Sequence, residues 1–576
     1  MREKISFVVF IICFFIGLQT SFAAEVYYLG TGGSGADFQD SYPSYTLKQR
    51  ISDITKLSKD ISNPEVSGGL SGTFTQEVTW QNVGGNKSKS FLTKGEDYRS
   101  ELNLNLFQKL WSNYRFEGQS FLRKTDDRLV ESERGLRMKS INMRVLNDRN
   151  MFEFGDFYGE LSPFTLGRSL EGFNAQVESA NRSKYRFIAA RANRPDEAES
   201  VFQRQVFGVK TDQFLFKDSD IFSNFRLGIQ AATFQDDSAT VKNKSSAKDL
   251  SNTVVSIDSE VSLVKNFSLG FELARSAYLE DEDALDKDRS YGTALRIQPQ
   301  MNLGRSSLRY LYYYVQPDFQ TTGGSALPDK EQHQLNWDFR ISERMFFSLV
   351  HNYYWDHLSK SSKTKRTTYS EQYTTLRFKP SERRQRLEAR VYFNRMDVNS
   401  DDRENSAEAI TNTFGLNIND VLGEKTNIGF NYEYRDFGNR ANKSLSNYYH
   451  RIGLNLGREE SLFNRRLYYS VSPSADIRSA KTDENKDTHL SLSFNGQYDV
   501  TKKLISRFAY NARSMDNSKP DSDFWNFQSY FEFDYALMPE LGRRLALRLE
   551  RNQYRYEDGG QNYNETRAIT RFSTNF

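Results

Sequence analysis

From about residue 71 to the end of the chain, apolar and polar side chains alternate with a period of two. Leu102, Leu104 and Leu106 are interleaved with Glu101, Asn103 and Asn105. Leu335, Trp337, Phe339 and Ile341 alternate with Gln334, Asn336, Asp338 and Arg340. The rhythm recurs where Leu387, Ala389, Val391 and Phe393 face Arg386, Glu388, Arg390 and Tyr392, and again around Ile428 to Tyr434 and Leu545 to Leu549. This period places one set of side chains on each face of a β-strand. The connections are alternately short (residues 111–113, 264–266, 500–503) and longer and polar (81–97, 235–251, 316–331, 397–407). Short turns at one end and long loops at the other mark transmembrane barrels. The pattern therefore predicts an all-β chain, a closed antiparallel transmembrane β-barrel over residues 71–576 with ~26 strands, in the range of about 24–28.

The alternation also assigns faces. An Arg or Lys on the lipid face costs roughly 2–4 kcal/mol at the bilayer midplane. Arg340, Arg386, Glu388, Arg390, Glu433, Arg507, Arg548 and Glu550 are therefore expected to line the lumen. A one-residue slip of register would turn all of them outward.

The start of the chain has a different pattern. Arg2 and Lys4 precede an apolar run from Ile5 to Leu18, and Ser21-Phe22-Ala23 supplies a small-x-small site. Residues 1–23 read as a cleaved signal peptide, the run being short for a membrane anchor. Residues 24–70 form an expected periplasmic segment. It opens on a cluster of Gly30, Gly32, Gly33 and Gly35, and then the period changes. Leu47, Ile51, Ile54, Leu57 and Ile61 recur at steps of four and three. That is one apolar stripe on an amphipathic helix over residues 46–62, ended by Pro64. Such a helix could pack on the barrel rim, or serve as a plug or docking helix.

Composition narrows the function classes. Mean hydropathy is −0.71 and 27% of residues are charged. After residue 23 no stretch is long and apolar enough for a membrane helix. A barrel reconciles this polarity with a membrane, because only every second residue meets lipid. A soluble, secreted all-β protein is the alternative. Aromatic residues make up 14% of the chain, as interfacial girdles require. The net charge of +3 gives no reason to expect nucleic acid as a partner. The one cysteine, Cys13, lies in the segment expected to be removed, so neither a disulfide nor a thiolate metal site is expected. There is no haem-attachment motif and no phosphate loop, and none of the five histidines forms a pair with helical metal spacing. No catalytic, cofactor or metal residues are expected, and the chain is not read as an enzyme. The acidic run Glu280, Asp281, Glu282, Asp283 and Asp286, with Asp401, Asp402 and Glu404, reads as solvated loop or as a Ca²⁺ or lipopolysaccharide contact.

The last strand, residues 564–576, ends on Phe576 with Phe572 four residues earlier. It resembles the C-terminal assembly signal of Gram-negative outer-membrane barrels. The resemblance implies handling by the barrel assembly machinery and residence among outer-membrane lipid and lipopolysaccharide. A second segment, Phe154-Gly155-Asp156-Phe157-Tyr158 followed by Ser162-Pro163 and Gly172-Phe173, resembles a strand-and-loop of fimbrial ushers. Ushers also carry an inserted plug and folded end domains, for which this chain has no room. Transporters that depend on TonB need a larger plug than residues 24–70 offer. The plug-less layout of a large barrel is similar to the barrel partner of porin–cytochrome conduits and to exopolysaccharide exporters. It implies a wide conduit, sheath or export channel. Its lumen would be filled by the N-terminal segment or by a periplasmic or lumen-inserted partner, such as a cytochrome, lipoprotein or export component. The alternatives are a general diffusion porin narrowed by loops, which would have fewer strands, about 16–18, and a barrel-borne surface enzyme or adhesin.

Overall fold

The computed structural model describes residues 68–576, apart from residues 93, 111–112, 129, 132–134, 195–200, 216–221, 242–247, 264–265, 281–288, 359–364, 383, 385, 402–407, 519–522 and 558. The expected signal peptide and the helix carrying Leu47, Ile51, Ile54, Leu57 and Ile61 lie outside the described residues. So do Asp281 to Asp286 of the acidic run, and Asp402 and Glu404.

The described residues form one closed antiparallel sheet of 26 strands, each paired with its neighbours in sequence. The first quarter runs β1 (Gly68–Gly85), β2 (Gly95–Lys109), β3 (Arg115–Thr125), β4 (Gly135–Leu146), β5 (Asn150–Ser162), β6 (Leu166–Glu178) and β7 (Lys184–Asn193). Next come β8 (Gln203–Leu215), β9 (Phe222–Asp237), β10 (Leu250–Leu263), β11 (Phe267–Glu280), β12 (Ser290–Leu303), β13 (Ser306–Val315) and β14 (Lys330–Arg340). The second half runs β15 (Met345–Asp356), β16 (Thr367–Phe378), β17 (Glu388–Ser400), β18 (Ala409–Leu422), β19 (Thr426–Asn439) and β20 (Asn447–Leu462). It ends with β21 (Arg465–Ala480), β22 (Lys486–Asp499), β23 (Leu504–Asp516), β24 (Phe524–Met538), β25 (Arg543–Tyr556) and β26 (Tyr563–Asn575).

Closure is made by β1 and β26, whose register runs from Thr73↔Asn575 to Gly85↔Tyr563. The terminal residue is part of the seam. Gly72 N–H donates to Phe576 O at 2.8 Å, and Phe576 N–H donates to Gly72 O at 3.1 Å. A closed sheet leaves no unpaired edge along this seam, which hydrocarbon would penalise.

The strands run past the boundaries that alternation alone suggests. Residues 81–97 were expected to be a connection, yet β1 continues to Gly85 and β2 starts at Gly95. The ladder carries on there because Gln81 pairs with Gly95 and Asn82 to Gly85 pair with β26. At the other end turns are tight. Phe463 and Asn464 both take positive φ, the two-residue geometry that matches strand twist.

One face of the wall is apolar and open. Phe393 and Phe414 are cross-strand partners at 39% and 41% exposure, and Phe531, Phe533, Leu547 and Leu549 are exposed likewise. The other face carries ion pairs. Glu77 meets Arg99 at 3.1 Å and Arg571, while Arg123 meets Glu101 at 2.8 Å.

Candidate functional site

The wall's pairing is most deeply interrupted at β5 and β6. β4 and β5 pair only from Leu146↔Met151 to Asn142↔Gly155. β6 and β7 pair only from Glu178↔Lys184 to Glu171↔Arg191. Between those limits β5 and β6 pair with each other alone, up to Ser162↔Leu166. Residues 156–170 are thus a β-hairpin that has left the wall on both sides.

Two glycines permit the departure. Gly155 has φ +97°, and a Cβ there would lie 2.1 Å from Ile141 O. Only glycine takes that conformation without strain. At Gly172 a Cβ would lie 2.5 Å from Ala190 Cα, so this position requires the missing side chain for a close backbone approach. The next residue after the first glycine repairs the broken ladder. Asp156 Oδ2 accepts a 2.8 Å hydrogen bond from Ile141 N–H.

The hairpin lies over the polar face. Its Phe157, Leu161, Leu166 and Leu170 pack on Ile188, Val206, Ala232 and Phe234 of β7, β8 and β9. Phe164 at its tip is fully buried among Val254, Ala274, Ala294, Val315 and Phe319. These wall residues occupy the parity that elsewhere bears charge, such as Arg204 with Asp236 at 2.7 Å and Arg226 with Asp212 at 2.5 Å. An apolar footprint has been cut into a polar face. Burying each large hairpin side chain is worth about 1.5–3 kcal/mol as an upper bound.

A second element locks the first. The connection from β13 to β14, residues 316–329, also turns onto this face. Phe319 meets Phe164 edge-on at 5.9 Å between ring centroids. Gly167 N–H donates to Gly323 O at 2.8 Å and Ser325 N–H donates to Pro163 O at 2.9 Å. Asn252 fixes the connection to the wall: its Nδ2 donates to Gln320 O at 3.0 Å, and its Oδ1 accepts from Thr322 N–H at 2.9 Å. Arg168 Nη1 donates to Thr322 O at 3.1 Å. Between the hairpin tip and the wall lies a polar cleft of about 300 Å³, lined among others by Glu160, Lys210, Asp258, Glu272 and Arg296. Lys210 Nζ donates to Leu161 O at 2.7 Å, tying tip to wall.

No family model and no curated protein matches the chain. Several solved structures are similar. The translocation pore of the P pilus usher, PapC, shares 9% identity over 88% of this chain and 99% of its own, with a TM-score of 0.37. The outer-membrane protein OprD from Pseudomonas aeruginosa shares 11% identity over 57% of this chain and 88% of its own, with a TM-score of 0.32. A BenF-like porin from Pseudomonas fluorescens shares 9% identity over 88% of this chain and 99% of its own, with a TM-score of 0.30. At these scores the likeness carries no argument about what passes through or occupies this barrel.

The charged residues singled out from sequence fall into three places. Arg507, Arg548 and Glu550 join one ion network across β23 to β26. Arg507 lies 2.7 Å from Glu532 and 3.2 Å from Asp534, Arg548 lies 2.5 Å from Glu550, and Arg567 also meets Glu550. Arg390 and Glu433 belong to a second group, in which Arg390 Nη2 donates to Tyr373 OH at 2.5 Å and Tyr392 OH donates to Glu433 at 2.8 Å. Glu388 starts β17, Arg340 ends β14 and Arg386 sits in the turn before β17, so these three lie at the short-turn end. Phe576 is bonded to Gly72 through its backbone, and Phe572 pairs with Gln76. Sequence reading did not find the hairpin's role or the folded-back connection. The available signal was the set of apolar residues at Val206, Val254, Ala274 and Ala294, on positions whose neighbours in the same parity are polar or glycine.

Proposed function

We propose that this protein is an outer-membrane conduit whose polar face lines a wide lumen, narrowed on one side by its own chain. The observation that carries the reading is the hairpin of residues 156–170, with residues 316–329, seated over β7 to β13. Twenty-six strands at ~4.8 Å spacing and ~40° tilt enclose a ring about 50 Å across between backbones. A single hairpin layer, about 10 Å thick, narrows that space without filling it. The wall opposite, β14 to β26, is left to its ion pairs, Arg451–Asp476 at 2.8 Å and Arg507–Glu532 at 2.7 Å among them. A mixed-charge wall of that kind suits a hydrated cargo or a polar partner surface. An unoccupied opening so wide would breach the permeability barrier. The reading therefore includes an occupant, either the N-terminal segment or a partner inserted from the periplasm, in a transporting rather than a catalytic role.

The test is single-channel conductance of the purified barrel in planar bilayers, with and without residues 24–67. A barrel stripped of partners should show large, noisy openings, or should be closed until that segment is deleted. Steady small conductance unchanged by the deletion would favour a loop-narrowed diffusion porin and remove the reason to look for an occupant.

A further inference from the structure

Along much of the polar face guanidinium groups are met by carboxylates, as at Arg99, Arg123, Arg204, Arg226, Arg451 and Arg507. Across β14 to β17 that pattern stops. The register sets Arg340, Phe346, Arg377 and Arg390 in one row on this face, with Asn417 of β18 next in line. Arg377 and Arg390 are direct cross-strand partners, and like charges so placed destabilise a sheet. All three arginines are exposed. Arg377 lies over the Phe346 ring at 5.2 Å, and Arg390 Nη2 donates to Tyr373 OH at 2.5 Å. Among the described residues none of the three has an ion-pair partner. Asp338 and Glu388 lie two residues along from Arg340 and Arg390, and neither pairs with the row. Four strands at about 4.8 Å spread the row over roughly 15 Å. Carboxylates placed between these guanidiniums would relieve the repulsion and use their forked donors.

The row has a defined height. Arg340 ends β14, Arg377 is one residue from the end of β16, and Arg390 is the third residue of β17. It therefore lies at the short-turn end, where the chain also enters β1 at Gly68. Before that entry, residues 24–47 contain Glu25, Asp37 and Asp40 and no lysine or arginine. In a ring of 26 strands β14 stands opposite β1, about 50 Å away across the lumen. Asp40 and Gly68 are 28 residues apart, a reach of at most about 95 Å when extended. With residues 46–62 as the expected helix the reach is about 60 Å, still enough to cross.

We propose, on the conduit reading above, that residues 24–47 cross the lumen and dock on the row of Arg340, Arg377 and Arg390, with Asp37 and Asp40 meeting the guanidiniums. The occupant of the lumen is then a segment of the same chain, tethered at β1 and pinned on the opposite wall.

The test is crosslinking within one chain. In a Cys13→Ser background, Ser41→Cys is combined with Ser348→Cys, on the polar face of β15 two residues from Phe346. The control combines Ser41→Cys with Gln119→Cys, exposed on the polar face of β3 and close to the tether. If Ser348→Cys does not fold, Asn336→Cys on the same face of β14 replaces it. Each chain is folded into phosphatidylcholine vesicles, checked by heat-modifiable gel mobility and treated with a short bismaleimide. Mass spectrometry should find crosslinks several-fold more abundant between positions 41 and 348 than between 41 and 119, although the second pair is nearer the tether. Asp37→Asn with Asp40→Asn, which leave the wall untouched, should bring the first pair down to the level of the second. Arg377→Gln with Arg390→Gln should do the same while the folded fraction holds. Exchanging the signs, with Arg377→Glu, Arg390→Glu, Asp37→Arg and Asp40→Arg together, should restore the preference. Salt at about 1 M, where the screening length is about 3 Å, should weaken it. Equal crosslinks in the two pairs, or a preference that survives the Asn changes, would overturn the docking. Equal crosslinks in a barrel whose heat-modifiable midpoint rises with inorganic phosphate through Arg377 and Arg390 would make the row a free-anion site instead. Conductance after deletion of residues 24–67 tests the conduit separately. A deleted barrel that does not conduct would remove the conduit and leave the docking that the crosslinks support; a conducting one whose parent shows no preference would remove the docking alone.

Discussion

Replacing Phe164 with alanine isolates the hairpin's docking from the rest of the barrel. Phe164 is 0% exposed, and the residues around it come from the wall and from the folded-back connection. Its ring makes no contribution to the β5–β6 ladder, so the loss falls on docking rather than on strand pairing. Truncating a fully buried Phe costs about 3–5 kcal/mol through lost transfer energy and the cavity left behind. At about 1.4 kcal/mol per tenfold, even the lower figure raises the undocked population on the order of a hundredfold. Adding Phe319→Ala should cost less than the sum, because the two rings are in contact and share one cavity. The assay is single-channel recording. Phe164→Ala should add brief openings to a larger level, as the hairpin swings off β7 to β13. Phe393→Ala, on the apolar face at 39% exposure, should leave the record unchanged. If the folded Phe164→Ala barrel gives the same amplitude histogram and open probability as the parent chain, the hairpin does not set the lumen's width.

Three further outcomes are expected. Gly155→Val places a β-branched side chain at φ +97° with its Cβ 2.1 Å from Ile141 O; it should destabilise the barrel by more than about 1–2 kcal/mol, read as a lower midpoint of heat-modifiable mobility. Deleting Phe576, or changing Phe572 and Phe576 to Asp, should prevent membrane insertion, because the last residue is bonded to Gly72 in the closing seam; normal levels in the outer membrane would refute the assembly-signal reading. Glu550→Gln removes the carboxylate shared by Arg548 and Arg567, so the reversal potential in a salt gradient should move toward anion selectivity with little change in stability, these pairs being partly exposed; an unmoved potential would place that network off the conducting path.

The barrel was legible in the sequence because its cause is local. Each strand must present one apolar face to hydrocarbon, and that demand writes a period of two into every segment, whatever its neighbours do. Strand ends were less legible: where the ladder outruns the bilayer, as at Asn82 to Gly85, register with β26 rather than alternation sets the boundary. The hairpin was hidden for a related reason. Within residues 156–170 the alternation persists, with Phe157 and Leu161 against Tyr158 and Glu160 on one strand and Leu166 and Leu170 against Gly167 and Ser169 on the other, so the segment looks like more of the wall. What differs is phase. Glu153, on β5 before the break, is buried with Asn142, Arg144 and Asn174 on the polar face. Phe157 and Leu161 continue that parity as apolar residues, and in a wall strand they would project among charges while Glu160 and Glu171 met lipid. A carboxylate facing lipid is disfavoured, and large apolar groups left in water forgo about 1.5–3 kcal/mol each. The inversion at Gly155 therefore excludes the wall for this stretch. It also requires a matching apolar stripe elsewhere on the polar parity, which Ile188, Val206, Ala232, Val254, Ala274, Ala294 and Val315 supply in successive strands. An inverted hairpin and a misplaced apolar stripe each look like noise alone. Together they specify that one lies on the other, and that relation is long-range, so a reading made strand by strand does not reach it.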